Sequence, residues 1–459
     1  MRENLTEMLI RLVVKNLFSF KDQTEFNLFP NKTTRLAHHK IKVDEIDVLR
    51  MSAIYGANGS GKSNLIKSIS LLQSMIETGE INSQIENKKF KLSEVCKTLP
   101  VDIGIEFFCE PHTYYYSLSI NGGVIVNEYF AQSKKEADIL IFERNIENGI
   151  QKIKFFDEYY ESEKNKLFAS VLEEKILEKN QLLFSFLSKK YEHEFIDVKN
   201  AYDWFDNTLT IIKPDAIPAG LAHILESVDG MDDFANNLIK SFNTGIDKLG
   251  IEKRNPDDFF DKSESKDLKQ ILAKIRKDPT NAASLTNPST GEEIFLMTEN
   301  DEIVIKRLYT QHSDEKGNNI EFSLGEESDG TRRLLDYIPA LHSLVNTNKV
   351  FLIDEIERSI HPLTIKEIIS KYSLDEDAKG QLIFTTHESS LLDQDILRTD
   401  EIWFCQKNLH GASKLYSLSD YKVHNTIDIE NGYLNGRYGG IPFLSNLHHL
   451  NWHKYNDVK

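Results

Sequence analysis

The chain has little cysteine, no apolar run long enough to cross a membrane, and no block of basic residues. Each gap narrows its chemistry. The three cysteines, Cys96, Cys109 and Cys405, lie far apart. No CxxC or Cys/His spacing links them, which excludes a disulfide framework and a cysteine-based metal site. Each lies in or near a strand-like apolar run, so buried free thiols in a reducing compartment are expected. No stretch of about 18 apolar residues occurs, which excludes a membrane-spanning helix. The opening MRENLTEMLI carries acids where a secretion signal would be basic, so a cytoplasmic protein is expected. Sustained heptads are missing, which argues against a long coiled-coil arm. The 55 Lys and Arg stand against 72 Asp and Glu, a formal charge of −17. Such a field disfavours nonspecific DNA binding and leaves only a local groove for it, so DNA as a partner stays open.

What is present is a globular chain. The 459 residues are 40% hydrophobic and 10% aromatic, enough for a substantial core. Ile10–Val14, Thr24–Leu28 and Ser52–Tyr55 read as strands. After Ser63, apolar residues at Leu65, Ile66, Ile69, Leu72, Met75 and Ile76 have helical spacing. Val101 to Val126 reads as a β-meander with a turn at Asn121-Gly122-Gly123. Phe155 to Ile275 reads as mostly helical. Lys253 to Gly291 is the most polar stretch and is expected to form an exposed excursion. Val350–Ile353 and Gln381–Thr385 are short apolar runs that end in polar residues, the pattern of buried parallel strands delivering side chains to a crevice. A hairpin is expected over Glu401–Cys405 and Lys414–Ser417.

Four motifs carry chemistry. Gly56 to Ser63 reads GANGSGKS, a match to GxxxxGK[ST] between a strand and a helix. Glycines there let backbone N–H groups surround phosphate oxygens. Lys62 reaches the terminal phosphates, and Ser63 offers its hydroxyl to Mg²⁺ at the helix start. Gly56, Asn58, Gly59, Ser60, Gly61, Lys62, Ser63 and Asn64 are therefore the candidate nucleotide-binding residues. In VFLIDE, Asp354 is positioned to hold Mg²⁺, directly or through water, and Glu355 to polarise an attacking water. His387 ends the strand Gln381–Thr385 and is placed to hydrogen-bond a γ-phosphate. Ser328 and Gly330, in LGEESDGT, stand at a helix start as a second anion-binding device. Catalysis is assigned to Glu355, His387 and Lys62, and the metal to Ser63 and Asp354.

This order of motifs resembles the ABC-type ATPases, in the branch shared with the structural-maintenance-of-chromosomes (SMC) proteins and their DNA-repair relatives. Asn58 in the P-loop and the N-terminal VKNLFSFKD carry the same likeness. The resemblance implies an α/β fold, an ABC-type P-loop ATPase head with a mainly helical inserted lobe. It implies ATP and Mg²⁺ as cofactors. It also implies that Ser328 and Gly330 act on the nucleotide of an opposite subunit, so the chain forms a homo-oligomer built on head-to-tail dimers. ESDGTRRLL, LIDEIERSIHP, QLIFTTHESSLLD and GYLNGRYGGIP narrow the likeness to prokaryotic ATPases related to the overcoming-lysogenization-defect proteins. The ATPase subunits of PARIS anti-phage pairs are among the candidates. The likeness implies a sensor or regulatory subunit that controls a separate toxic effector, a nuclease, with a phage protein as trigger. No acidic cluster of Toprim type follows His387, so the effector is expected on another chain.

The expected organisation is a first part of the ATPase domain over 1–150, a mainly helical insertion over 151–290, and a second part over 291–459. The alternative role is a DNA-repair or DNA-end-binding SMC-like ATPase; a metabolic or regulatory ATPase is a third. GTP is disfavoured because no NKxD motif follows the P-loop. Gln132 is the candidate for a family glutamine loop, ahead of Gln73 and Gln181. Ile360-His361-Pro362 takes the place of the family's D-loop. His448, His449 and His453 lack an acidic partner and read as a tail. Tyr114, Tyr115 and Tyr116 read as strand residues rather than a base-stacking platform.

Overall fold

A computed structural model describes residues 6–218, 220–256, 266–286, 293–421 and 427–441. The chain divides into two compact units. One comprises Met1–Ile211, Leu352–Glu355 and Gln381–Lys459; the other comprises Ile212–Phe351 and Ile356–Gly380. The fold class is α/β, as the sequence indicates.

The first unit contains a seven-stranded sheet. Its order is Ile150–Phe155, Ile139–Glu147, Val124–Gln132, His112–Asn121, Val101–Cys109, Glu7–Lys15 and Thr24–Asn27. The meander is thus longer than the sequence suggests. Tyr114 and Tyr116 are fully buried while Tyr115 faces the other side, as alternation in a strand requires. A six-stranded sheet follows the order Leu209–Ile212, Val350–Ile353, Gln381–Thr386, Met51–Tyr55, Ile402–Lys407 and Ser413–Ser417. Met51–Tyr55 runs parallel to both of its neighbours. It and Gln381–Thr386 are buried at every position, which is why they read as unbroken apolar runs. Buried Gln381 satisfies itself fully: its Oε1 accepts from Leu9 N (2.7 Å), and its Nε2 donates to Leu9 O (3.0 Å) and Leu49 O (2.8 Å).

Residues 156–208 are helical and belong to the first unit. Buried Glu128 anchors them, accepting from Leu183 N and Phe184 N (2.9 Å each) and pairing with Arg144 at 3.5 Å.

The second unit has an antiparallel sheet in the order Lys248–Arg254, Glu302–Ser313, Glu293–Glu299, Ala283–Thr286, with Asn319–Ser323 also paired to Glu302–Ser313. The polar stretch after Lys253 is therefore not wholly an excursion. Its described part includes the helix Lys266–Lys277, whose Leu272 and Ile275 share a core with Ile294, Leu296 and Ile305. Two or three apolar anchors per element suffice for this packing, too few to stand out among charges. Strands Leu209–Ile212 and Lys248–Arg254 likewise interrupt the stretch read as helical. Residues 257–265 and 287–292, the expected boundary at 290/291, Pro442, and the tail histidines His448, His449 and His453 lie outside the described residues.

All three cysteines are buried, and none is in a disulfide. Among the described residues no helix is long and apolar enough to cross a membrane.

Candidate functional site

The P-loop, Asp354, Glu355 and His387 all belong to the first unit and follow the C-terminal ends of Met51–Tyr55, Val350–Ile353 and Gln381–Thr386. The loop curls around its own lysine. Lys62 is 4% exposed, and its Nζ donates to Gly56 O at 2.7 Å and Ala57 O at 3.4 Å. The same ammonium lies 3.0 Å from His387 Nε2, so that ring nitrogen accepts. The helix Lys62–Thr78 starts at Gly61 without a side-chain cap, which leaves first-turn N–H groups suited to an anion.

The glycines have a second reason beyond clearance for phosphate. A Cβ on Gly56 would overlap Cys405 O, and one on Gly61 would overlap Ser413 Oγ and stand 2.8 Å from Ser19 Oγ. The loop is therefore braced from behind. Ser413 Oγ donates to Ser60 O, Cys405 Sγ donates to the same oxygen at 3.3 Å, and Asn64 Nδ2 donates to Ser19 Oγ at 2.8 Å. Burial pushes the Cys405 thiol up to about 11, so it stays protonated and acts as a donor, not a nucleophile. Ser60 Oγ is buried without a hydrogen-bond partner.

Asp354 is 3% exposed. Its Oδ1 accepts from Ser63 Oγ at 3.0 Å and from Thr385 Oγ1 at 2.6 Å. Thr385 in turn accepts from Glu355 N at 2.8 Å. Glu355 adopts φ +53°, a conformation that costs a non-glycine residue about 1–2 kcal/mol, and the Thr385 bond holds it there. A hydroxyl and a carboxylate in contact are oxygen donors of the kind Mg²⁺ takes. Among the described residues no group of three His, Cys, Asp or Glu could hold a metal. Mg²⁺ in a phosphate site needs none, because it keeps waters and takes phosphate oxygens.

Ser328 and Gly330 belong to the second unit. Ser328 caps the helix Asp329–Asn346 by accepting from Thr331 N at 3.1 Å. Gly330 packs closely on Ser359, whose carbonyl oxygen would lie 2.7 Å from an added Cβ. His361 caps the helix Pro362–Leu374 through Nδ1, which accepts from Leu363 N at 3.2 Å. Gln132 donates to Asp197 at 3.4 Å, while Gln73 donates to Phe205 O and Leu209 O.

Thr385, Ser19 and Ser413 are the site residues that the sequence does not single out. Thr385 stands two residues before His387 in TTH and is within reach of the motif. Ser19 and Ser413 act through contacts between separate parts of the chain, with Asn64 and with Ser60, for which the sequence carries no local signal.

Residues 51–393 match the model of a family described as “AAA domain, putative AbiEii toxin, Type IV TA system”. Among solved structures, the SMC head domain from Thermotoga maritima is similar at 12% identity, covering 89% of this chain and 98% of that one, with a TM-score of 0.36. An SmcHead bound to the C-winged helix domain of ScpA shows 14% identity, coverage of 89% and 97%, and a TM-score of 0.41. An Smc head domain with an extended coiled coil, bound to the C-terminal domain of ScpA derived from Pyrococcus furiosus, shows 12% identity, coverage of 94% and 99%, and a TM-score of 0.38. No curated protein matches the chain.

Proposed function

The chain belongs to the family described as “AAA domain, putative AbiEii toxin, Type IV TA system”, and from that premise we propose that it is an ATP-hydrolysing, SMC-like ABC ATPase. One observation carries the reading. Lys62 meets His387, Ser63 meets Asp354, and Thr385 joins Asp354 to Glu355, all within one unit.

In this reading the phosphates of ATP lie on Gly56–Ser63, with Asn58, Ser60 and Asn64 shaping the loop. Lys62 draws charge from the terminal phosphates. Mg²⁺, when bound, neutralises charge that develops on the phosphate oxygens. Ser63 and Asp354 are the groups that hold it. Glu355 orients and polarises the attacking water, and His387 hydrogen-bonds the γ-phosphate. Ser328 and Gly330 serve the nucleotide of a second copy, so the protein is a homo-oligomer built on head-to-tail dimers.

The biological role we propose is a cytoplasmic sensor in anti-phage defence. Its ATP-driven assembly holds or releases a separate toxic effector, a nuclease, with a phage protein as trigger. The family description, a toxin–antitoxin system, supports that setting. The second reading, a DNA-end-binding ATPase, has one observation in its favour. Lys269, Lys274, Arg276 and Lys277 lie exposed on the helix Lys266–Lys277 of this acidic chain.

The test is ATP turnover by the purified chain and by Glu355→Gln. The variant is expected to bind ATP with wild-type affinity and to lose about 100-fold or more in turnover. Turnover at the wild-type rate would place the base elsewhere. A several-fold stimulation by DNA would favour the second reading over the first.

A further inference from the structure

We propose that a cavity beside the start of the helix Asp329–Asn346 is a binding site for a free α-amino acid. The cavity measures about 240 Å³, and its lining lies wholly within the second unit. The inference does not rest on the ATPase reading.

The cavity's charged groups are incompletely paired. Arg333 lines it and is 6% exposed. Its Nη1 donates to Ala216 O at 2.8 Å, and its Nη2 donates to Lys213 O at 3.3 Å and Tyr337 Oη at 3.0 Å. The guanidinium lies over the Tyr337 ring, 4.5 Å from its centroid. Its Nε has no hydrogen-bond partner. That N–H is sealed from the cavity, so the guanidinium acts on a ligand through its charge rather than through a free donor. One turn further along the helix, Asp336 also lines the cavity and has no hydrogen-bond partner among the described residues. At the rim, exposed Arg358 is in the same condition.

This pattern selects the ligand class. A simple cation would face Arg333 and Arg358 together. A simple anion would face Asp336 and Glu293 together. A zwitterion meets both demands: its carboxylate accepts from Arg358 beside the Arg333 charge, and its ammonium donates to Asp336. Ile217, Leu221 and Leu335 supply an apolar wall for a side chain. A cavity of roughly 150 Å³ holds benzene, so this one has room for an aliphatic amino acid.

The site also carries a pH signature. Burial pushes the Asp336 carboxyl up to about 7; Arg333 and Arg332 oppose the shift, and Glu293 adds to it. Asp215, Arg358 and Asp329, the last paired with Arg332, are the other charged groups near it. A bound ammonium ionises Asp336 and expels its proton. Affinity is therefore about tenfold weaker at pH 6 than at pH 8.

The experiment is calorimetric titration of the full chain, free of nucleotide, with each of the common L-amino acids at millimolar concentration. We expect saturable binding of one or a few aliphatic members. The amide and the N-acetyl form of the same amino acid should each bind at least about tenfold more weakly, as should Arg358→Gln with an unchanged melting temperature and Asp336→Asn with a melting temperature no lower than that of the wild type. These two positions are chosen because Arg333 also ties down residues 213–216, and its loss risks the fold. Absence of binding by every amino acid overturns the proposal. So does an amide or N-acetyl form that binds as tightly as the zwitterion.

Discussion

Gly61 has φ +120°, and a Cβ there would overlap Ser413 Oγ. Gly61→Ala is therefore expected to lose about 2–3 kcal/mol of stability in denaturant titrations. Gly59 has φ +73° and open space around an added Cβ, so Gly59→Ala should lose only about 1 kcal/mol. Equal losses would show that the Ser19–Ser413 brace is not what fixes the loop. Asp336 gives a second prediction at this scale. Its folded pKa of about 7 lies above the usual carboxylate value, so the folded chain holds a proton that the unfolded chain releases. Stability from that proton is full below about pH 4 and is lost as pH rises through 7. Asp336→Asn, which cannot ionise, should gain stability over the wild type from pH 4 to 7 and then level off. The gain should be of order 2 kcal/mol in melting experiments without ligand. No gain at pH 8 would contradict the raised pKa. The P-loop glycines, Lys62, Ser63 and Asp354 were legible at this scale because short spacing encodes their chemistry. The brace behind the loop and the Arg333–Asp336 cavity were not, because only tertiary contact assembles them.

The two anion-suited helix starts differ at the level of the element. The helix after the P-loop begins at Gly61 with no side-chain cap, whereas the helix Asp329–Asn346 is capped by Ser328 through Thr331 N. Ser328→Ala should thus cost about 1 kcal/mol in thermal or denaturant unfolding. Unchanged stability would show that the cap is dispensable and leave Ser328 free for a purely recognitional role. Elements were readable where burial on both faces made an apolar run, as in Met51–Tyr55 and Gln381–Thr386. They were unreadable where a one-sided sheet carries charges on alternate residues. Lys248–Arg254, KLGIEKR, has one fully buried position, so neither period shows in it. The helix Lys266–Lys277 hid in the same way.

At the scale of the molecule, the P-loop with Asp354, Glu355 and His387 falls in one unit, and Ser328 with Gly330 in the other. Whether Ser328 serves the nucleotide of its own copy or that of a second copy is separated by a mixing experiment. Lys62→Ala removes the ammonium that faces phosphate but keeps Ser328. Ser328→Arg fills the helix start with a bulky cation but keeps Lys62. Each variant alone should be inactive. If the site is shared, a mixed pair rebuilds one intact site from the Lys62 of one copy and the Ser328 of the other. Random pairing then restores about a quarter of wild-type ATP turnover per protomer. If each copy completes its own site, the mixture stays inactive at every ratio, because no copy holds both residues. Recovery that grows with total protein concentration would further require that the copies meet in solution. Flat inactivity, with both variants folded, would remove the head-to-tail dimer from the proposed mechanism while leaving the P-loop chemistry of the single chain untouched.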